Sequence, residues 1–222
     1  GRTDCRQRLP HGVSGLPDGT PEEQRRCYAD VMEPARRRGA ATYDDLLALP
    51  EDARAEVVRG EVLMSPAPLP RHSKVQRAIA RFIGGPFDDD DGRGGPGGWW
   101  ILLEVDVRLS EHDIVRPDLA GWRRQRLPKP WDQRPIDVVP DWVCEVLSPS
   151  TMRHDRLTKA RLYREAGVPS LWLIDPEARL LEAFQLRDES WVEAARCGDE
   201  DTLAIPPFGV IDLEVARLFP PE

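Results

Sequence analysis

One acid inside an apolar run constrains this chain more than any other feature. Residues Asp141 to Ser150 read DWVCEVLSPS, and Glu145 stands at the centre of a stretch rich in Val and Trp and bounded by proline. Such a run predicts a buried strand. Strand alternation puts Trp142, Cys144 and Val146 on one face, and Val143 and Leu147 on the other with Glu145. A carboxylate buried there is costly unless a cation, a metal or hydrogen bonds compensate it. A second run, Ile114 to Trp122 (IVRPDLAGW), repeats the pattern around Asp118 and is expected as one strand. Thr151 to Gly167 (TMRHDRLTKARLYREAG) then reads as a helix that Gly167 closes. Its Asp155, Lys159 and Tyr163 recur every fourth residue and share one face, with Leu157, Ala160 and Leu162 packing. Two buried acids on neighbouring strands, with a lysine on the following helix, point to metal-assisted hydrolysis. The plainer alternative for Lys159 is a surface ion pair with Asp155.

Composition narrows the classes. No apolar run reaches the roughly 18 to 20 residues that span a bilayer, and the first residues lack the apolar core of a signal peptide, so a cytoplasmic location is expected. Cys5, Cys27, Cys144 and Cys197 are scattered, with no C-x-x-C pair, which excludes the usual zinc and disulfide frameworks. A net charge of −8 argues against nucleic acid as a partner. Acidic reaction centres contribute to that total, and a local basic patch can coexist with it.

Along the chain, residues 1–41 read as a poorly structured appendage, with the Arg36-Arg37-Arg38 cluster as a solvated charge run. Residues 42–222 are expected to form a single domain. Thr42 and Asp45 resemble a capping box ahead of a short helix. The segment AEVVRGEVLMS predicts a hairpin turning at Arg59-Gly60, which leaves Glu56 as an exposed strand glutamate. A linker, SPAPLP, precedes a helix expected over His72 to Ile83, with Val75, Ile79, Phe82 and Ile83 facing the core. His72 in its first turn reads as a surface or capping histidine, or as a contact to the acids. Gly84 to Gly98 (GGPFDDDDGRGGPGG) reads as a mobile loop whose aspartates lack calcium-loop spacing. Trp99 to Leu109 is expected as one long strand with Glu104, Asp106 and Arg108 outward, antiparallel to the Asp118 strand. Residues 122–140 concentrate Arg123, Arg124, Arg126, Lys129 and Arg134 beside Trp122 and Trp131, as a nucleic-acid contact or an ordinary solvated loop would. Two further strands, Leu171 to Asp175 and Arg179 to Leu186, pair across Pro176-Glu177-Ala178, and Trp191 to Ala195 adds another.

Pro117-Asp118, Glu145 in VCEVLSPST, the spaced Asp155, Lys159 and Tyr163, and Gly167-Val168-Pro169 followed by LWLID together resemble the PD-(D/E)XK nuclease superfamily. They are more similar still to its Uma-type branch of restriction-endonuclease-like proteins, from about Thr42 to Phe219. The superfamily's E-x-K places lysine two residues after the glutamate, where this chain has Leu147; the branch supplies it from the next helix, here Lys159. The resemblance implies an α/β (α+β) fold with a mixed central sheet flanked by helices and the site at one sheet edge. It implies a Mg²⁺ (or Mn²⁺) ion on Asp118, Glu145 and the Val146 carbonyl, with Asp118, Glu145 and Lys159 catalytic. Glu56, His72, Glu104 and Tyr163 are accessory candidates. DNA is the implied substrate and a homodimer the implied assembly, with no membrane partner. The alternative is an inactive nuclease-like scaffold that binds nucleic acid or protein. A small-phosphoester hydrolase lacks the G-x-x-x-x-G-K loop, and Ser148 lacks the G-x-S-x-G surround of a serine hydrolase.

Overall fold

A computed structural model describes residues 40–221. The appendage expected over residues 1–41, with Cys5, Cys27 and the Arg36–Arg38 cluster, lies outside the described residues except for Ala40 and Ala41. The Thr42 backbone N–H donates to the Asp45 carboxylate at 3.0 Å and opens helix α1 (Tyr43–Leu47). Strands β1 (Ala55–Val58) and β2 (Glu61–Met64) form the expected hairpin. It turns on Arg59 and Gly60 at φ of 54° and 77°, the left-handed pair a two-residue hairpin turn requires.

Helix α2 (Pro70–Ile79) starts with proline in its first turn, where the missing N–H costs nothing. It runs on as π-helical turns over Ala80–Asp89, well beyond the expected end at Ile83. The mobile loop expected from Gly84 is therefore helical in its first part. Phe87 is buried there, Asp88 accepts the Ile101 N–H at 2.9 Å, and Arg124 pairs with both Asp88 and Asp91. Aspartates that looked like solvated low complexity instead tie the segment to strand β3 (Trp99–Leu103).

The central sheet has six strands in the order β10-β9-β8-β7-β6-β3, comprising β6 (Leu119–Arg123), β7 (Trp142–Val146), β8 (Ser170–Asp175), β9 (Leu180–Arg187) and β10 (Ser190–Cys197). Only β7 and β8 are parallel, so the sheet is mixed. Every residue of β7 is buried, because helices cover both faces of the sheet. Trp142, Cys144 and Val146 pack with Val75 and Ile79 of α2 and Ile83 of its π-helical continuation. Val143 and Leu147 pack with Ala160, Leu162 and Tyr163 from the helix after β7, formed by π-helical turns His154–Lys159 and α3 (Ala160–Glu165). Leu157 stays exposed rather than packing as expected. A short β11/β12 pair (Thr202–Leu203, Leu213–Glu214) and a 3₁₀ turn (Val215–Leu218) close the chain over the first core. The fold is the expected mixed α+β arrangement.

A second sheet, β2-β1-β5-β4, holds β4 (Val107–Ser110) and β5 (Asp113–Val115). Two long strands were expected over 99–109 and 114–122. Each is broken instead, and the antiparallel pair passes from one sheet into the other at residues 104–106 and 116–118.

Gly121 of β6 sits where close packing leaves no room. An added Cβ would lie 3.0 Å from Ile101 Cδ1, 3.1 Å from Trp142 Cε3 and 3.3 Å from Trp99 Cε3. Gly121→Val is expected to cost about 1–3 kcal/mol by overpacking, read as a lower urea midpoint with unchanged slope; a midpoint equal to the parent's contradicts this packing.

Candidate functional site

The break between the two sheets places the acids. Pairing of β6 with β7 ends at Leu119 opposite Cys144, so β7 continues past its neighbour for two residues. Asp118, in the bend just before β6, fills that gap: its Oδ2 accepts the Val146 N–H at 2.7 Å. The N–H and C=O of one extended residue point the same way, so the Val146 carbonyl faces the Asp118 side as well. Asp118 and Glu145 therefore meet at the end of an interior strand, where the chain changes sheets, rather than at a sheet edge.

Lys159 completes the cluster. Its ammonium lies 2.8 Å from Glu145 Oε1 and 3.0 Å from Glu56 Oε1, and it is 4 % exposed. It is no surface partner of Asp155. Tyr163, one turn further along the helix, donates its hydroxyl to the same Glu145 Oε1 at 2.5 Å. Glu56 is buried, against the expectation of an exposed strand residue; β1 carries it beneath the bend, where the Arg116 N–H donates to its Oε1 at 2.6 Å. The groups that meet its carboxylate, Arg116 and Lys159, lie 60 and 103 residues along the chain, which strand alternation could not reveal. His72 is buried too, with Nε2 3.1 Å from Asp118 Oδ2. One cleft is lined by Glu56, His72, Asp118, Glu145, Asp155 and Lys159.

Glu104 stands one step away. At φ 49° it makes the bend opposite Asp118, and its carboxylate takes Arg54 at 3.0 Å and the Gln76 amide at 3.1 Å. Gln76 also donates to the Asp118 carbonyl at 3.1 Å. Sequence reading passed over Gln76; the available signal was its place one turn after His72 on the same face. Asp106, expected outward, is buried against Arg116 at 2.7 Å. The basic stretch after β6 is largely spent internally: Arg126 pairs with Asp141, Arg134 with Asp106, and Trp122 is wholly buried, so only Trp131 presents an open ring.

Burial dominates the electrostatics. It pushes the Glu145 carboxyl up to about 8, with Lys159 opposing and the neighbouring acids Asp155, Asp118 and Glu56 adding to it. Burial alone would lower the Lys159 pKa, but the charges of Glu145 and Glu56 outweigh it and hold the group well above its ordinary value. These directions favour the ammonium form of Lys159 and the protonated form of Glu145. Burial also raises Asp155 and, with the Glu145 charge, Tyr163. His72 is raised: burial works against its charged form, and the hydrogen bond and charge of Asp118 prevail.

Oxygen donors of this kind suit a hard cation. Among the described residues the hydrogen bonds use Oδ2 of Asp118 and Oε1 of Glu145, leaving Asp118 Oδ1 and Glu145 Oε2 outside them. Among the described residues no three His, Cys, Asp or Glu side chains gather as a metal cage. Mg²⁺ needs none, since it binds through one or two carboxylates and keeps waters or phosphate oxygens for the rest.

A family model described as "Putative restriction endonuclease" (Uma2) matches residues 40–216. The chain belongs to the Uma2 family. A crystal structure from Anabaena variabilis, described as a "putative nuclease belonging to DUF820", is similar over 80% of this chain and 97% of its own. Its TM-score is 0.63 at 21% identity, a likeness of fold. The DrdV–DNA complex matches 57% of this chain and 12% of its own at 16% identity, with a TM-score of 0.30. No curated protein matches the chain. Among the described residues of this Uma2 protein, no helix is long and apolar enough to cross a membrane.

Removing Lys159 strands the charges it compensates. Lys159→Met is expected to cost about 3–5 kcal/mol in metal-free protein. The loss is expected to be larger at pH 9 than at pH 6. A carboxyl whose folded pKa is raised stabilises the fold when protonated, and Glu145 ionises near 8. Denaturant titrations of parent and variant in EDTA at both pH values measure this; a loss that grows toward pH 6 contradicts the assignment.

Proposed function

We propose that this protein is a divalent-cation-dependent endonuclease that hydrolyses DNA phosphodiester bonds. The observation that carries the reading is the convergence, in one cleft, of the Asp118 and Glu145 carboxylates and the Lys159 ammonium. Family membership supports it. Asp118, Glu145 and the Val146 carbonyl would hold Mg²⁺ or Mn²⁺, which when bound supplies a water of lowered pKa and neutralises charge on the phosphate.

The remaining work belongs to the chain's own groups. Two of the three ammonium donors of Lys159 are engaged by Glu145 and Glu56, and the third is left to orient the attacking water or to meet the developing charge on the phosphate. Glu56 and Tyr163 keep the lysine and Glu145 in place. Arg54 and Arg116 also line the cleft, which gives an acidic protein guanidinium groups beside the acids for a phosphate. Cutting both strands of a duplex needs two such centres, so the reading carries a homodimer with it.

Plasmid cleavage in Mg²⁺ or Mn²⁺ tests the proposal. Parent protein is expected to nick or linearise DNA and to stop in EDTA. Asp118→Asn, Glu145→Gln and Lys159→Ala are each expected to lose about 100-fold or more in rate. Cleavage by all three at the parental rate would sink the assignment, and DNA binding indifferent to Mg²⁺ without any cleavage would favour a scaffold.

A further inference from the structure

Asp118 lies in irregular backbone between two sheets, so no strand ladder fixes its carboxylate. We propose that helix α2 does so, with His72 and Gln76 as positioning residues that aim Asp118 into the cleft. The cation-binding half of this inference rests on the function proposed above.

His72 and Gln76 are four residues apart on α2 and therefore share a face. They divide the work on one residue. His72 Nε2 reaches Asp118 Oδ2 at 3.1 Å, and Gln76 Nε2 donates to the Asp118 carbonyl at 3.1 Å. A carboxylate oxygen only accepts, so the ring proton of that bond sits on Nε2. With the Val146 N–H also on Oδ2, that oxygen is held from two sides, and rotation of the carboxyl group is blocked while Oδ1 keeps its lone pairs. Gln76 and the Glu104 N–H (3.3 Å) fix the carbonyl, so side chain and backbone are held independently.

The clamp is rigid because α2 is. Val75 and Ile79, on the turns between and beyond the two polar residues, are fully buried against β7 and its neighbours. Nδ1 of His72 has no partner among the described residues. The bond to Asp118 is then the ring's one polar attachment, and a residue kept for folding alone gains nothing from a buried, half-satisfied imidazole. Groups that orient metal-binding carboxylates typically govern 10–100-fold in affinity.

The test has one readout in metal-free protein and one with Mn²⁺. Amide exchange is followed by NMR at Val146, whose N–H is bound by Asp118, and at Leu147, whose N–H is bound by the Ile174 carbonyl at 2.7 Å. In His72→Phe the Val146 amide is expected to exchange about tenfold faster or more, with Leu147 unchanged. Mn²⁺ affinity by calorimetry is expected to fall about 10–100-fold. His72→Gln, which restores a donor, is expected to recover both. Gln76→Leu is expected to move both readouts the same way as His72→Phe, and it carries the comparison if the phenylalanine variant does not fold. Parental Val146 exchange and parental Mn²⁺ affinity in these variants would overturn the proposal, as would equal acceleration of both amides, the mark of a merely structural role. If Val146 responds while the parent itself takes up no Mn²⁺, the positioning stands and the proposed cation site falls.

Discussion

A buried ammonium between two buried carboxylates is the interaction on which the rest of this structure depends. Glu145 has to lie inside the sheet because every other residue of its strand is needed for the two cores. An acid in that place is tolerable only with a partner of opposite charge and hydrogen-bond donors. Lys159 provides the charge, Tyr163 the hydroxyl, and Glu56 the second acid that keeps the lysine from leaving. Such an arrangement is expensive for stability, since a well-packed apolar trio would cost less.

Placing the second acid required a different device. Asp118 cannot lie in a regular strand and also reach over the end of β7. The chain solves this by letting a long antiparallel pair leave one sheet and enter another. The bend between them is irregular, with Glu104 at positive φ, and it exposes backbone groups that the sheets no longer satisfy. Gln76, Glu56 and Asp106 take up those groups and the neighbouring arginine, which is why three polar side chains are buried around one break. Site and strain coincide, and α2 is the firm surface against which both are held.

The acidic net charge is compatible with a phosphate substrate because the charges are not evenly spread. Asp88, Asp91 and Asp141 are engaged by Arg124 and Arg126 and do not line the cleft. Around the cleft itself Arg54, Arg116 and Lys159 gather beside the acids. A total charge reports on the surface as a whole, whereas a phosphate responds to the potential within about a Debye length.

By itself, the sequence determined that Glu145 is buried in a strand, that Asp155, Lys159 and Tyr163 share a helix face, and that the hairpin turns at Arg59-Gly60. Each of these follows from local periodicity or from backbone preference, which need no knowledge of distant residues. It also carried the family motifs that join Asp118 to Glu145. Tertiary structure alone decided that the two long strands break, that Glu56 and Asp106 turn inward, that the aspartate-rich segment is helical and pinned by Arg124, and that Gln76 holds Asp118. All of these depend on which neighbour satisfies a buried charge or an unpaired backbone group. That choice is made by contacts across tens of residues, and no periodicity along the chain records it.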